Sequence, residues 1–254
     1  VITEIRAVKS AEEIEFVESA QRANEAALAA AEGLIADATI EDGTLHHGGE
    51  PLTAERVKEE IEVVLLRHGC GLDETIVAGG AHGADPHDRG SGPLPANEPI
   101  VIDVFPRDKE TKYHSDMTRT FLRGEPTDEV RRRHEITEDA LDAAVAAVEP
   151  GATGKDVHDA ACDVYEAAGY PTLRADPETE VGYIHSTGHG VGLDVHELPS
   201  LSPRGGALEP GHVITVEPGL YDPEHGGMRI EDIVVVTDDG YRNFTDYHRD
   251  LVVG

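Results

Sequence analysis

Residues 100–122, IVIDVFPRDKETKYHSDMTRTFL, decide how the rest of the chain is read. Their two ends, Ile100–Phe105 and Tyr113–Leu122, are rich in β-branched and apolar residues, and the middle, Pro106–Lys112, is a polar turn. The pattern predicts an antiparallel hairpin. Each arm carries a carboxylate where alternation predicts burial. Asp103 interrupts an otherwise apolar run, and Asp116 shares one face with His114, Thr118 and Thr120 at period two. A buried carboxylate is expensive unless it meets a cation, binds a metal or shifts its pKa.

Upstream of this hairpin, Ser10 to Gly33 reads as a helix, with Ser10 as N-cap, Glu13 three residues on and Gly33 as the stop. Thr53 to His68 reads as a second helix, with Val57, Ile61, Val64 and Leu65 on one face and Gly69 ending it. Thr75–Ala78 is an extended segment. Downstream the order begins again. Helices are expected at about Thr127–Val148 and Gly154–Ala168, bounded by Pro150-Gly151 and Gly169-Tyr170-Pro171, and strands at His212–Glu217 and Met228–Thr237. Two rounds of helix, helix and strands predict an internal duplication and a single α+β domain of two similar halves. The halves share little sequence identity.

Charge narrows the class of partner. Fifty-one acidic residues against 21 basic ones give a net charge of −30, and only five of the bases are Lys. Nucleic acid and anionic membranes would be repelled. The acids are spread among periodic apolar segments, which distinguishes them from a disordered acidic tail. The reading is a protein suited to a salt-rich cytoplasm, where counterions screen the repulsion. No stretch approaches the roughly 18 apolar residues of a membrane span. Val1–Ser10 is charged and does not read as a signal peptide. An opening Val1 in place of Met is consistent with a fragment, a processed product or a trimmed chain. Cys70 and Cys162, each placed in an apolar helical run, are expected to be buried free thiols in a reducing compartment.

About one residue in five is acidic, so an acid matters only where the pattern buries it. Besides Asp103 and Asp116, Glu217 ends Val213-Ile214-Thr215-Val216-Glu217 before Pro218-Gly219, and Glu231 lies within Met228–Val236. Three histidines, His185, His189 and His196, stand in a stretch whose glycines permit close backbone approach. Imidazole with several carboxylates suits divalent Mn, Co, Fe or Zn. No thiolate ligand is in evidence, which argues against a structural zinc site.

In order along the chain come Asp103, the Ser115–Phe121 strand, His189-Gly190-Val191-Gly192 leading to His196-Glu197, Thr215–Gly219 and Gly227–Asp232. Together they resemble the prolidases (Xaa-Pro dipeptidases) and aminopeptidases P of metallopeptidase family M24. The resemblance extends to the opening Glu4-Ile5-Arg6 to Lys9-Ser10 and the closing Thr245-Asp246-Tyr247. It implies a pita-bread fold, with two pseudo-symmetric halves around a curved antiparallel sheet, and hydrolysis of small peptides with Pro second. It also implies two divalent ions, Mn first, with Co, Fe or Zn as alternatives. The implied ligands are Asp103, Asp116, His189, Glu217 and Glu231. Asp116 and Glu231 would bridge, Asp103 would hold one ion, and His189 with Glu217 the other. Glu217 would also accept a proton from water, and His196 would donate to the developing oxyanion. His87, through Asp85-Pro86-His87, and His185 would face the substrate. Arg229 would orient Glu231 or meet the substrate's carboxylate, with a salt bridge inside the acid cluster as the plainer alternative.

The chain departs from that pattern in three ways. The turn between Asp103 and Asp116 is about two residues longer than the family's usual spacing, His82 stands where relatives carry Asn, and the N-terminal domain usual in prolidases is not expected in this chain. A homodimer is compatible with the resemblance. The competing readings are a methionine aminopeptidase-like enzyme, a metal-free creatinase-like hydrolase that would have lost ligands, and a non-catalytic binding protein on the same fold.

Overall fold

In a computed structural model describing residues 2–254, every long helix starts at a hydroxyl side chain that caps it. After a short helix α1 (Ile2–Ala7), Ser10 opens α2 (Ala11–Ala36) with a reciprocal capping box to Glu13. Thr53 caps α3 (Ala54–Arg67), Thr127 caps α4 (Asp128–Ala146) and Thr153 caps α5 (Gly154–Ala167). The second helices of the two rounds, α3 and α5, are both 14 residues long. Each is followed by a left-handed glycine, Gly69 (φ 79°) or Gly169 (φ 88°), where a side chain would be strained. The expected stop at Gly33 does not occur. Helix α2 continues to Ala36 because burying Ile35 in the last turn outweighs the roughly 1 kcal/mol that a helical glycine costs.

The hairpin read from residues 100–122 forms. Strands β1 (Thr75–Gly79), β2 (Ile100–Val104) and β3 (Met117–Phe121) make an antiparallel sheet in that order, with Asp103 opposite Ile76 on one side and Thr118 on the other. The second arm is shorter than expected. Within the expected turn, Arg107–Asp108 forms a short strand that pairs with Cys70–Gly71, and the Asp108 carboxylate accepts from the backbone N–H groups of Glu110 and Thr111, forming a local turn. Cys70 therefore lies in a short strand, not the helix expected, whereas Cys162 is on α5; both thiols are free and buried, and burial pushes each up to about 11.

The second round contributes β4 (Gly188–Gly190), β5 (Glu197–Leu201), β6 (Val213–Val216), β7 (Gly219–Asp222), β8 (Gly226–Arg229), β9 (Asp232–Thr237) and β10 (Gly240–Asn243). Five of them form a sheet in the order β5-β4-β6-β9-β10, while β7 and β8 form a separate hairpin. The strand expected over Met228–Thr237 is thus two strands. Arg229 pairs with Gly219 in the hairpin and Asp232 with Val216 in the sheet, so the chain changes partners at Ile230-Glu231. In that break the Glu231 N–H donates to the Thr118 carbonyl at 3.0 Å, tying the second half to β3.

Each half has its own core. Leu28, Ile35, Ile61 and Leu65 of α2 and α3 pack with Ile102 and Phe121, and Leu141, Ala161 and Tyr165 of α4 and α5 pack with Ile214 and Val234. Arg119 joins the halves from a buried position. Its guanidinium donates to the Glu231 carbonyl (2.7 Å), to Asp232 Oδ1 (2.9 Å) and to the carbonyls of Tyr247 and His248. Among the described residues no helix is long and apolar enough to cross a membrane.

Candidate metal centre

The segments that meet at the junction of the two halves each deliver a ligand-type side chain. Asp103 comes from β2, Asp116 from the residue before β3, His189 from β4, Glu217 from the residue after β6 and Glu231 from the break between β8 and β9. Ligand atoms of Asp116, His189 and Glu231 lie within 4.8 Å of one another. His189 Nε2 is 3.3 Å from Glu217 Oε1 and 3.7 Å from Asp116 Oδ2. All five residues, with His87, His185, His196 and Arg229, line one cleft of about 470 Å³.

The electrostatics are those of an acid cluster short of positive charge. Burial, then the charges of Glu231, Asp103 and Glu217, holds Asp116 well above the usual carboxylate range. Burial and the charges of Glu217 and Asp103 raise Glu231 as well. Glu217 goes the other way. Burial opposes its ionisation, but the hydrogen bond and charge of His189 prevail and pull it down to about 2. His189 is correspondingly raised: burial works against its charge and Glu217 outweighs it. Asp103 Oδ1 and Asp116 Oδ1 are buried and have no hydrogen-bond partner among the described residues. Buried acceptors of this kind call for a cation, and carboxylate oxygens with one imidazole are the donor set that hard or borderline divalent ions take. The residues fit a metal.

A surrounding hydrogen-bond shell orients the acids. Thr118 donates to Glu231 Oε2 at 2.7 Å and accepts from Arg229 Nε at 3.1 Å. Arg229 Nη2 donates to Asp103 Oδ2 at 2.7 Å and Nη1 to the Tyr221 hydroxyl at 2.8 Å. This salt bridge is the plainer of the two arrangements expected for Arg229, whose buried guanidinium engages the cluster and reaches Glu231 only through Thr118. Tyr221 in turn contacts His185 Nε2 at 3.0 Å, and His185 Nδ1 lies 2.6 Å from the Ser186 carbonyl. A carbonyl only accepts, so Nδ1 carries the ring proton, Nε2 accepts from the Tyr221 O–H, and the Tyr221 oxygen accepts from Arg229. Thr215 accepts from the His189 N–H and donates to Glu217 Oε1.

His196 is exposed at the rim with its ring edge-on to His189, centroids 4.2 Å apart at 66°. His87 stands exposed at the mouth, and His82 pairs with Asp88 at 2.8 Å without lining the cleft. Sequence reasoning gave no role to Thr118, Thr215 or Tyr221. Alternation did place Thr118 on the face of Asp116, which was the one available signal.

Comparison with known proteins places this geometry in a family. The model for metallopeptidase family M24 matches residues 15–238. The Xaa-Pro dipeptidase of Pyrococcus furiosus is 34% identical over 257 residues, covering 99% of this chain and 67% of that protein. Among solved structures, dipeptidase PepE from Mycobacterium ulcerans superposes with a TM-score of 0.85 at 32% identity, covering 99% of this chain and 62% of that one. The X-Pro aminopeptidase from Thermotoga maritima gives 0.85 at 32% identity, covering 99% and 66%. The architecture is the pita-bread fold of prolidases and aminopeptidases P. The chain belongs to metallopeptidase family M24. It spans about two thirds of the length of these relatives.

Proposed function

We propose that this chain hydrolyses the bond between the first residue of a small peptide and a proline in second position, using two divalent ions, Mn foremost. The observation that carries the proposal is the convergence of four carboxylates and His189 around two buried, unpartnered carboxylate oxygens. The names of the relatives, Xaa-Pro dipeptidase and X-Pro aminopeptidase, support the choice of substrate. Asp103, Asp116, His189, Glu217 and Glu231 would hold the ions. When bound, the ions would supply Lewis-acid polarisation of the scissile carbonyl and acidify water.

The protein's own groups divide the remaining work. Glu217, already ionised at neutral pH, accepts the proton released by the attacking water at its free carboxylate oxygen. His196 is neutral at that pH, its pKa lowered by partial desolvation at the rim and by the charge of His189, and donates N–H to the developing oxyanion. Both ring nitrogens of His185 are engaged, so it offers the substrate a ring face rather than a hydrogen bond. Arg229 holds Asp103 in place. His87 covers the mouth. Both halves contribute to one cleft, which supports reading residues 2–254 as one catalytic unit, and the acidic surface with two free thiols supports a salt-rich cytoplasm.

The experiment offers Mn-loaded protein Gly-Pro, a longer Xaa-Pro peptide and Met-Ala side by side. Cleavage after the first residue of the proline peptides, with Met-Ala hardly touched, is the expected result. Comparable kcat/KM for Gly-Pro and Met-Ala would move the assignment to a methionine aminopeptidase-like enzyme, and no turnover of any peptide would leave a binding protein.

A further inference from the structure

Arg6 and Lys9, in the opening segment, line no part of the cleft, yet both reach the residue that follows His196. Lys9 Nζ lies 3.1 Å from Glu197 Oε2, and the two side chains are 1% and 5% exposed. Arg6 donates to Glu197 Oε1 and, at 2.7 Å, to Asp194 Oδ2. The Asp194 N–H donates to the same Glu197 Oε1 at 3.0 Å. One buried carboxylate therefore accepts from two cations and a backbone amide, closing the Asp194–Glu197 turn that presents His196. The turn's other flank is fitted as closely: a Cβ on Gly192 would stand 2.7 Å from Glu197 Oε2.

Lys9 is itself anchored. Its N–H donates to the Gly211 carbonyl at 2.8 Å, and the next residue caps α2. By contrast, the His196 ring has no hydrogen-bond partner among the described residues and touches the centre only through its edge contact with His189. An exposed side chain on a loop is loosely held unless its backbone is pinned. A buried carboxylate left without its cations would be strongly unfavourable, so the turn stays closed only while Lys9 and Arg6 are docked.

We propose that Glu197, clamped by Lys9 and Arg6, is a positioning residue for His196, so that the N-terminal segment sets the reach of the oxyanion donor. The inference rests on the role given to His196 above. Two cations and two anions make the clamp neutral, so it adds nothing to the self-repulsion of a chain carrying −30.

The test compares Mn-loaded wild type, Glu197→Gln, His196→Ala and the double variant for kcat, KM and metal content on one Xaa-Pro dipeptide. Glu197→Gln should lower kcat by about 10- to 100-fold, the size expected when a catalytic group is displaced by an ångström, with metal content unchanged. In the His196→Ala background it should cause no further loss, because the group it positions is gone. Wild-type kcat in Glu197→Gln, or losses that multiply in the double variant, would overturn the clamp and leave the role of His196 standing. Wild-type kcat in His196→Ala would remove both. If Glu197→Gln does not fold, Arg6→Gln, which leaves Lys9 in place, reads the same coupling: a loss present in wild type and absent beside His196→Ala supports the clamp, and an equal loss in both refutes it.

Discussion

Asp116→Asn should move stability in opposite directions with and without metal. In the metal-free protein Asp116 and Glu231 offer ligand atoms no more than 4.8 Å apart. Two ionised carboxylates at that distance repel by about 3.5 kcal/mol at an effective dielectric of ~20. Shared protonation and the charge of Arg229 relieve part of this, leaving roughly 1–3 kcal/mol to be regained when one charge is removed. The sign follows from the raised pKa: at pH 8 the unfolded chain ionises Asp116 freely, whereas the fold resists it, and Asn ends that penalty. At about 2–4 °C per kcal/mol for a chain of this size, the variant should melt roughly 2–12 °C above wild type in chelator. With Mn at about 100 times its Kd, wild type should gain about 2.7 kcal/mol for each of its two ions and the variant far less, so the order reverses. Calorimetry at pH 8 in constant high KCl, with and without Mn, reads both arms. A variant less stable in chelator that keeps the wild-type metal shift would refute the electrostatic reading of the cluster.

The remaining expectations concern separate parts of the molecule. His189→Ala should lose metal, whereas His196→Ala should keep it and lose about 10²–10³ in kcat; equal metal loss in the two would reverse their roles. His158 is buried on α5 between Thr187 and Cys162, and burial lowers its pKa from 6.5 to about 4. The folded protein thus refuses a proton that the unfolded chain takes up, so stability present above pH 6.5 is lost as pH falls towards 4, by roughly 3 kcal/mol in all. His158→Gln should flatten that slope in urea unfolding at pH 7 and pH 4.5, and an unchanged slope counts against it. A net charge of −30 on 10897 Å² spaces the uncompensated charges by roughly 20 Å, within the ~30 Å Debye length of dilute salt and far outside the ~3 Å of molar salt. Circular dichroism and activity should therefore collapse below about 0.05 M KCl and recover near 3 M; equal folding and turnover at both ends would remove the salt requirement.

The parts of this fold that could be read from sequence are those specified locally. Ser10 with Glu13, Thr53, Thr127 and the glycines after α3 and α5 act on their own neighbours, and the helices begin and end close to where those residues predict. Gly33 misled because tertiary burial of Ile35 overrides a local preference. The break at Ile230-Glu231 was invisible for a related reason. An apolar run with β propensity does not reveal that its two ends pair with different sheets. The carboxylates were legible because acids inside apolar strands contradict their surroundings. Tyr221, Thr215 and the clamp on Glu197 were not, since each acts through partners far apart in sequence and no local pattern marks it. Arg229 illustrates the boundary: its strand placed it near the acids, but only its contacts with Asp103, Thr118 and Tyr221 decide what it holds.

The most direct test of the central claim is the number of ions bound per chain. Protein stripped with chelator, reloaded with Mn and desalted should carry two ions per chain by elemental analysis, and Glu231→Gln, lacking one of the proposed ligand carboxylates, should carry fewer and be inactive. One ion per chain in fully active wild type, or two retained with undiminished turnover in Glu231→Gln, would contradict a two-metal centre built on Asp103, Asp116, His189, Glu217 and Glu231.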